Sequence, residues 1–272
     1  MLRSMYSGIS GLKNFQTKLD VIGNNIANVN THGFKKGRAV FKDIYSQTVA
    51  GAAAPANGRG GVNPKQVGLG AQLSTVDTIH AGGSPQFTGN TFDLAIEGDG
   101  YYEVGVEEAD GERYYTRAGN FSLDEEGYIV NAEGLYLKST DHERIQIDLT
   151  AETVSVGTNG QVTQVIDGVL EEIATIGLAK FSNPGGLEKV GSNYYLPSAS
   201  SGPVGGDGNE GELFDPQTNG AGKIQSGSLE MSNVDLGEEF TEMIVAQRGF
   251  QANTRVVTTS DEILQELVNL KR

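Results

Sequence analysis

Two apolar seams of seven-residue period stand at opposite ends of this chain, and each demands a helical partner. In the first, Met5, Leu12, Leu19 and Ile26 recur at seven-residue steps, with Ile9, Phe15 and Ile22 widening the stripe. In the second, Leu236, Met243, Phe250, Val257 and Leu264 keep the same step, Phe240 lies beside them, and Ile263, Leu267 and Leu270 add another row. Such spacing holds one helix face against a neighbour over many turns. Asp235 is a good N-cap and Glu238 follows three residues later, the capping-box spacing. Lys271 and Arg272 suit the negative end of the helix dipole. The first helix contains Gly8, Gly11 and Gly23. Each costs a helix interior about 1 kcal/mol relative to alanine, so this helix is marginal alone. It is expected to stop near Asn30 and Gly33.

Charge sorts along the chain in the same way. Residues 1–80 carry nine basic and three acidic side chains, residues 81–227 seven and 24, and residues 228–272 four and eight. The two ends thus have opposite net charge, which favours their meeting. The segment 20–34, DVIGNNIANVNTHGF, is rich in asparagine. Asn24 and Asn28 share a helix face and Asn25 lies beside them; Gln247, Asn253 and Thr254 supply matching polar positions in the second seam. Buried amides must be hydrogen-bonded, so they favour one stagger between packed helices over others.

Between the ends the pattern is β. Runs such as FDLAIEG, YYEVGVEE, ERYYTRAG, GYIVNAEG and GQVTQVIDG are separated by turn signals, among them Asp110-Gly111 and Asn159-Gly160. The fold class expected is α+β. Residues 1–32 with 233–272 form a discontinuous helical, coiled-coil assembly domain, residues 33–80 an extended linker region, and residues 81–225 a mostly antiparallel β domain. The Gly/Ala-rich stretch 46–72 reads as an extended or flexible connector.

Chemistry is sparse. The chain has no Cys and no Trp, which excludes disulfides, thiol nucleophiles and Cys-ligated metals. Its net charge of −15 argues against a nucleic-acid partner. No apolar run reaches the ~20 residues that span a bilayer, so no membrane insertion is expected, and the N-terminus lacks the apolar stretch of a secretory signal. His32, His80 and His142 are far apart and read as turn or surface residues. Gly222-Lys223 fails as a P-loop because Gln217 stands where a glycine is needed. The acidic loop Asp207–Asp215 fails as a calcium loop because Thr218 replaces the closing glutamate. Lys35, Lys36 and Arg38 read as a solvated basic turn. No catalytic residue, metal site or cofactor is expected. The classes left are a self-assembling structural protein, a secreted β-domain enzyme or adhesin with helical ends, and a closed coiled-coil adaptor.

Five stretches narrow the choice. LDVIGNNIANVNTHGFK (19–35), TGNTFDLAIEGDGYY (88–102), YTRAGNFSLDEEGYIV (115–130), FSNPGGLEKVGSNYY (181–195) and the C-terminal run from Ser226 resemble the signatures of the flagellar rod, hook and hook-associated axial proteins. Within that family the resemblance is nearest to short hook proteins of the Bacillus type, and next to the distal rod protein. It implies a subunit exported without a cleaved signal peptide, located in the flagellar hook or basal body outside the cytoplasmic membrane. Its partners would be copies of itself in a helical homopolymer, adjacent rod, hook-cap and hook–filament junction proteins, and the export apparatus. The terminal helices would form the inner layer of the tube.

Overall fold

The computed structural model describes residues 2–55, 60–106, 113–202, 204 and 212–270. The chain divides into two compact units.

The helical unit comprises Met1–Ala27, Gly37–Thr78 and Asp235–Arg272. It holds α1 (Leu2–Ala27), four strands, β1 (Gly37–Asp43), β2 (Ser46–Ala50), β3 (Lys65–Gly68) and β4 (Ala71–Thr78), and the long α2 (Leu236–Asn269). Asp235 caps α2, its carboxylate accepting from the Gly237 and Glu238 amides. Lys271 and Arg272 lie outside the described residues. Residues 37–78 are not an extended linker. β1 pairs antiparallel with β4, Gly37 opposite Thr78, and β2 pairs with β3, Ser46 opposite Gly68. The small side chains of 46–72 give no apolar face to read from sequence. β2 and β3 pair while exposed along their whole length, which is why composition alone suggests a connector.

The β unit comprises Asn28–Lys36 and Ile79–Val234. In chain order its strands are β5 (Pro85–Phe87), β6 (Leu94–Glu97), β7 (Tyr101–Gly105), β8 (Arg113–Thr116), β9 (Phe121–Leu123), β10 (Ile129–Asn131), β11 (Tyr136–Leu137) and β12 (Thr153–Val156). They continue as β13 (Gln161–Ile166), β14 (Val169–Thr175), β15 (Leu178–Ala179), β16 (Glu188–Gly191), β17 (Tyr194–Leu196), β18 (Leu213–Phe214), β19 (Lys223–Ser226) and β20 (Ser228–Glu230). The largest sheet runs β16-β17-β8-β7-β11-β10-β9, and β15 joins it through β7 and carries β18. β12-β13-β14 form a three-stranded sheet, and β6 pairs with β19 and β5 with β20. All of these pairings are antiparallel.

β7 explains where the core sits. Its five residues are all buried, so it is covered on both faces. Tyr102 and Val104 point into the larger apolar cluster with Leu94, Ile129, Leu137 and Ile224. Tyr101, on the opposite face, joins an aromatic cluster with Tyr115, Phe181 and Tyr195, stacked edge to face. The turns are chemically appropriate. Asn159-Gly160 joins β12 to β13, with the Asn159 side chain accepting from the Gln161 amide and Gly160 at φ 78°. Asp110-Gly111 lies outside the described residues, as does Asp207–Gly211 of the acidic loop.

Candidate assembly interface

α1 and α2 pack side by side and antiparallel. A Cβ on Gly8 would lie 3.1 Å from Val257 Cγ2, one on Gly11 2.9 Å from the Asn253 amide, and one on Gly249 2.4 Å from Phe15 Cζ. Nearer the other end, Asn25 Nδ2 donates to Glu239 Oε2 at 3.2 Å. Gly8 and Gly11, read from sequence as weaknesses of the helix, are therefore places where the partner helix approaches its backbone. Gly23 has nothing within 4 Å of its would-be Cβ and remains a plain weakness.

The row of α2 that faces α1 is mostly small or polar: Glu239, Ala246, Gly249, Asn253 and Ser260, interleaved with Met243, Val257 and Leu264. On α1, Met5, Leu12, Leu19 and Ile26 are partly buried and Ile22 fully so. The remaining seam positions keep substantial exposure. Leu236, Phe240, Phe250 and Ile9 are exposed, Phe240 to 50%. Leu236, Phe240 and Ile244 leave one exposed apolar flank on α2, and Val256, Ile263 and Leu267 another on a different side of the helix. Heptad counting finds apolar residues but does not tell which of two rows the chain's own partner covers. Where the helices come closest, α2 carries Gly249 and Asn253 and α1 carries Gly8 and Gly11, and Met243, Val257 and Leu264 are partly buried beside them. Counting from Gly8 opposite Val257, α1 begins about level with Ile263, so the last turns of α2 extend beyond it.

The amides fall into distinct settings. Asn25 is buried and satisfied: its Nδ2 donates to the Gly37 carbonyl at 2.9 Å, and its Oδ1 accepts from the Gly37 amide at 2.9 Å. That pairing mimics a strand ladder and ties α1 to the start of β1. Asn253 lies against Gly11 and donates back to the Gly249 carbonyl at 3.0 Å. Asn28 accepts from the Thr31 hydroxyl in the turn after α1. Asn24 and Gln247 are exposed. Lys18 and Glu242 form an ion pair at 2.7 Å on the flank of the helix pair.

The basic turn is another correction. Lys35 is fully buried in the β unit, its ammonium 2.5 Å from Glu230 and 2.9 Å from the Ala81 carbonyl. Arg117 reaches the other Glu230 oxygen at 3.4 Å and donates to the Gly98 carbonyl at 2.9 Å. Burial, above all, pushes the Lys35 pKa down. Only Arg38 fits the solvated description, exposed and 3.5 Å from Asp77. His80 is half-buried. Its Nδ1 meets the Tyr101 hydroxyl at 2.7 Å, and burial, reinforced by Lys189, Lys35 and Arg117, lowers its pKa to about 4. Among the described residues there is no grouping of His, Cys, Asp and Glu that could hold a metal ion, and no helix is long and apolar enough to cross a membrane.

Three family models match, in chain order. "Flagella basal body rod protein" covers residues 5–35, "Flagellar hook protein FlgE/F/G D1 domain" residues 95–164, and "Flagellar basal body rod FlgEFG protein C-terminal" residues 225–270. The chain is 54% identical to the flagellar basal-body rod protein FlgG of Bacillus subtilis over 273 positions that cover all of both chains. It is 36% identical to the FlgG of Caulobacter vibrioides over 274 positions, 99% of this chain and 100% of that one. It is 30% identical to the flagellar hook protein FlgE of Borreliella burgdorferi, over 452 positions covering all of both. The chain belongs to the flagellar rod and hook protein family. It is a structural protein of the flagellum and not an enzyme. The rod relatives align almost residue for residue, whereas the hook alignment is far longer than this 272-residue chain and requires long insertions. Rod therefore stands ahead of hook, the reverse of the order that the resemblance implied.

Proposed function

We propose that this chain is a rod subunit of the flagellar basal body, of the distal-rod type. The observation that carries this reading is the 54% identity, end to end, with the rod protein FlgG of Bacillus subtilis. The subunit polymerises with copies of itself into a helical tube and meets other rod and hook proteins at its ends. It reaches that place through the flagellar export apparatus.

The apolar row of α2 supports the assembly role. Leu236, Phe240 and Ile244 are large, exposed and lie along one flank of a helix already paired with α1. Covering them with a second copy removes apolar area from water at about 25 cal/mol per Å2. A contact between two different faces of identical subunits does not close, so it propagates as a filament. The row that includes Leu236, Phe240 and Phe250 would then lie between subunits, and Asn25 and Asn253 would fix the stagger within one. Coiled-coil packing then belongs to the assembled state.

Deleting the gene and viewing basal bodies by electron microscopy tests the assignment. A rod subunit predicts structures that stop within the cell envelope and carry no hook. Complete rods without hooks would instead assign the chain to the hook, and normal flagella would remove it from the axial structure.

A further inference from the structure

Part of α2 is poorly suited to being a helix. Residues 253–260 read NTRVVTTS, in which every type except Arg is a weak helix former. Val256, Val257, Thr258 and Thr259 are β-branched side chains in succession, which crowd the preceding turn. The turns beyond, DEILQELVN, return to Glu, Leu and Gln, which favour a helix. Packing gives the weak stretch little support. Gly8 and Gly11 of α1 face it, and Thr254, Val256, Thr258 and Thr259 are exposed.

The side chains of this stretch turn back onto their own helix. Thr258 Oγ1 donates to the Arg255 carbonyl at 3.0 Å and Thr259 Oγ1 to the same carbonyl at 2.8 Å. Thr259 Oγ1 also lies 3.2 Å from the Val256 carbonyl, to which Ser260 Oγ donates at 2.7 Å. One turn earlier, Asn253 Nδ2 and Thr254 Oγ1 donate to the Gly249 and Phe250 carbonyls, each at 3.0 Å. The Arg255 and Val256 carbonyls each face two hydroxyls besides the amide of the helix ladder, more donors than their two lone pairs accept at once. The hydroxyls compete with those amides and keep the carbonyls satisfied when the amides leave. That combination weakens a helix and lets it bend.

From this geometry we infer that residues 253–260 are a joint in α2, where the helix hydrogen bonds open and the axis bends while the turns beyond stay helical. Those turns carry the exposed Ile263, Leu267 and Val268 past the start of α1. A bend of about 20° at the joint moves the end of this arm by about 5 Å. The arm thus adjusts to the surface it meets without disturbing the helix pair on the other side of the joint. The joint belongs to a single subunit, so its failure would leave the rod assignment untouched.

The test is amide hydrogen exchange of the full chain in solution, resolved residue by residue and corrected for intrinsic rates. The expected result is a local minimum of protection at the Thr259 and Ser260 amides, which bond to the crowded carbonyls, below the amides at 246–250 and also below those at 265–267. The double variant Thr258→Ala/Thr259→Ala removes exposed hydroxyls and supplies a better helix former, so protection at the minimum should rise about fivefold to tenfold. Thr241→Ala removes a similar bond, to the Gly237 carbonyl, far from the joint, and should leave the minimum unchanged. Protection that simply falls off toward the C-terminus is ordinary fraying and would overturn the inference. So would a minimum that the double variant leaves in place, or one that Thr241→Ala relieves equally well.

Discussion

The Phe15 ring lies directly over Gly249, so close that a Cβ there would sit 2.4 Å from its Cζ. This contact, with Gly11 under Asn253, sets how near the two helices come. It gives the helix glycines opposite roles that substitution can separate. Gly249→Ala is expected to destabilise the helix pair by about 1–3 kcal/mol through overpacking, despite the higher helix propensity of alanine. Gly23→Ala, where nothing is near, should stabilise by up to about 1 kcal/mol. Urea denaturation followed by helical circular dichroism reads both signs in one experiment.

Asn25 makes three hydrogen bonds from a buried amide. Asn25→Ala leaves the Gly37 amide and carbonyl and the Glu239 carboxylate short of partners, at a cost of about 2–4 kcal/mol. Asn25→Asp is nearly isosteric but sets a second carboxylate beside Glu239 and removes the donor. Its penalty should be larger at pH 7 than at pH 4, where a shared proton relieves the repulsion. Equal penalties at both pH values would mean that the lost hydrogen bonds, and not charge, dominate.

The buried charges predict an asymmetry. Glu230→Gln leaves two buried cations without their anion and should cost about 3–5 kcal/mol. Lys35→Met removes one cation and leaves Arg117 with Glu230 to itself, so it should cost clearly less. The chain has no Trp, and eight of its ten Tyr lie in this unit, so near-ultraviolet circular dichroism of the tyrosines reports mainly on it. If Lys35→Met proved the more damaging of the two, the excess positive charge would not be what matters there.

His80 predicts a pH dependence. Its folded pKa, about 4, lies below the ordinary 6.5, because the folded state favours the neutral ring. The unfolded chain therefore takes up the proton first as pH falls. The contribution of His80 to stability is fully present above pH 6.5 and is lost progressively down to about pH 4. His80→Gln, which can still accept from the Tyr101 hydroxyl, should flatten that part of the stability profile. The comparison is the difference between the two proteins over pH 7 to 4, measured by chemical denaturation.

Local chemistry was legible in the sequence. Asp235 capping α2, the end of α1 before the Asn-rich turn, the antiparallel β runs and the Asn159-Gly160 turn all depend on neighbouring residues, and local rules reach them. What was not legible depends on distance. Lys35 and Glu230 are 195 residues apart, so a basic turn gave no sign of a buried ion pair. Glu103 on β7 is buried because that strand is covered on both faces, which its alternation alone does not reveal. The intrachain helix contact includes Gly11, Ala246 and Gly249, whose signal is smallness and which hydrophobic periodicity passes over. Periodicity also points to Phe240 and Phe250, which this chain leaves exposed.

The exposed row of α2 is where assembly is most directly tested. A photo-crosslinking amino acid placed at Phe240 captures whatever surface it meets, and the same probe at Leu149, 70% exposed in the β unit, serves as control. Irradiation of basal bodies built from the Phe240 variant should give covalent dimers and higher multimers of this chain, in clear excess over the Leu149 control. Basal bodies that incorporate the Phe240 variant but yield no self-crosslinked product, or no more than the control, would contradict a subunit contact through this face.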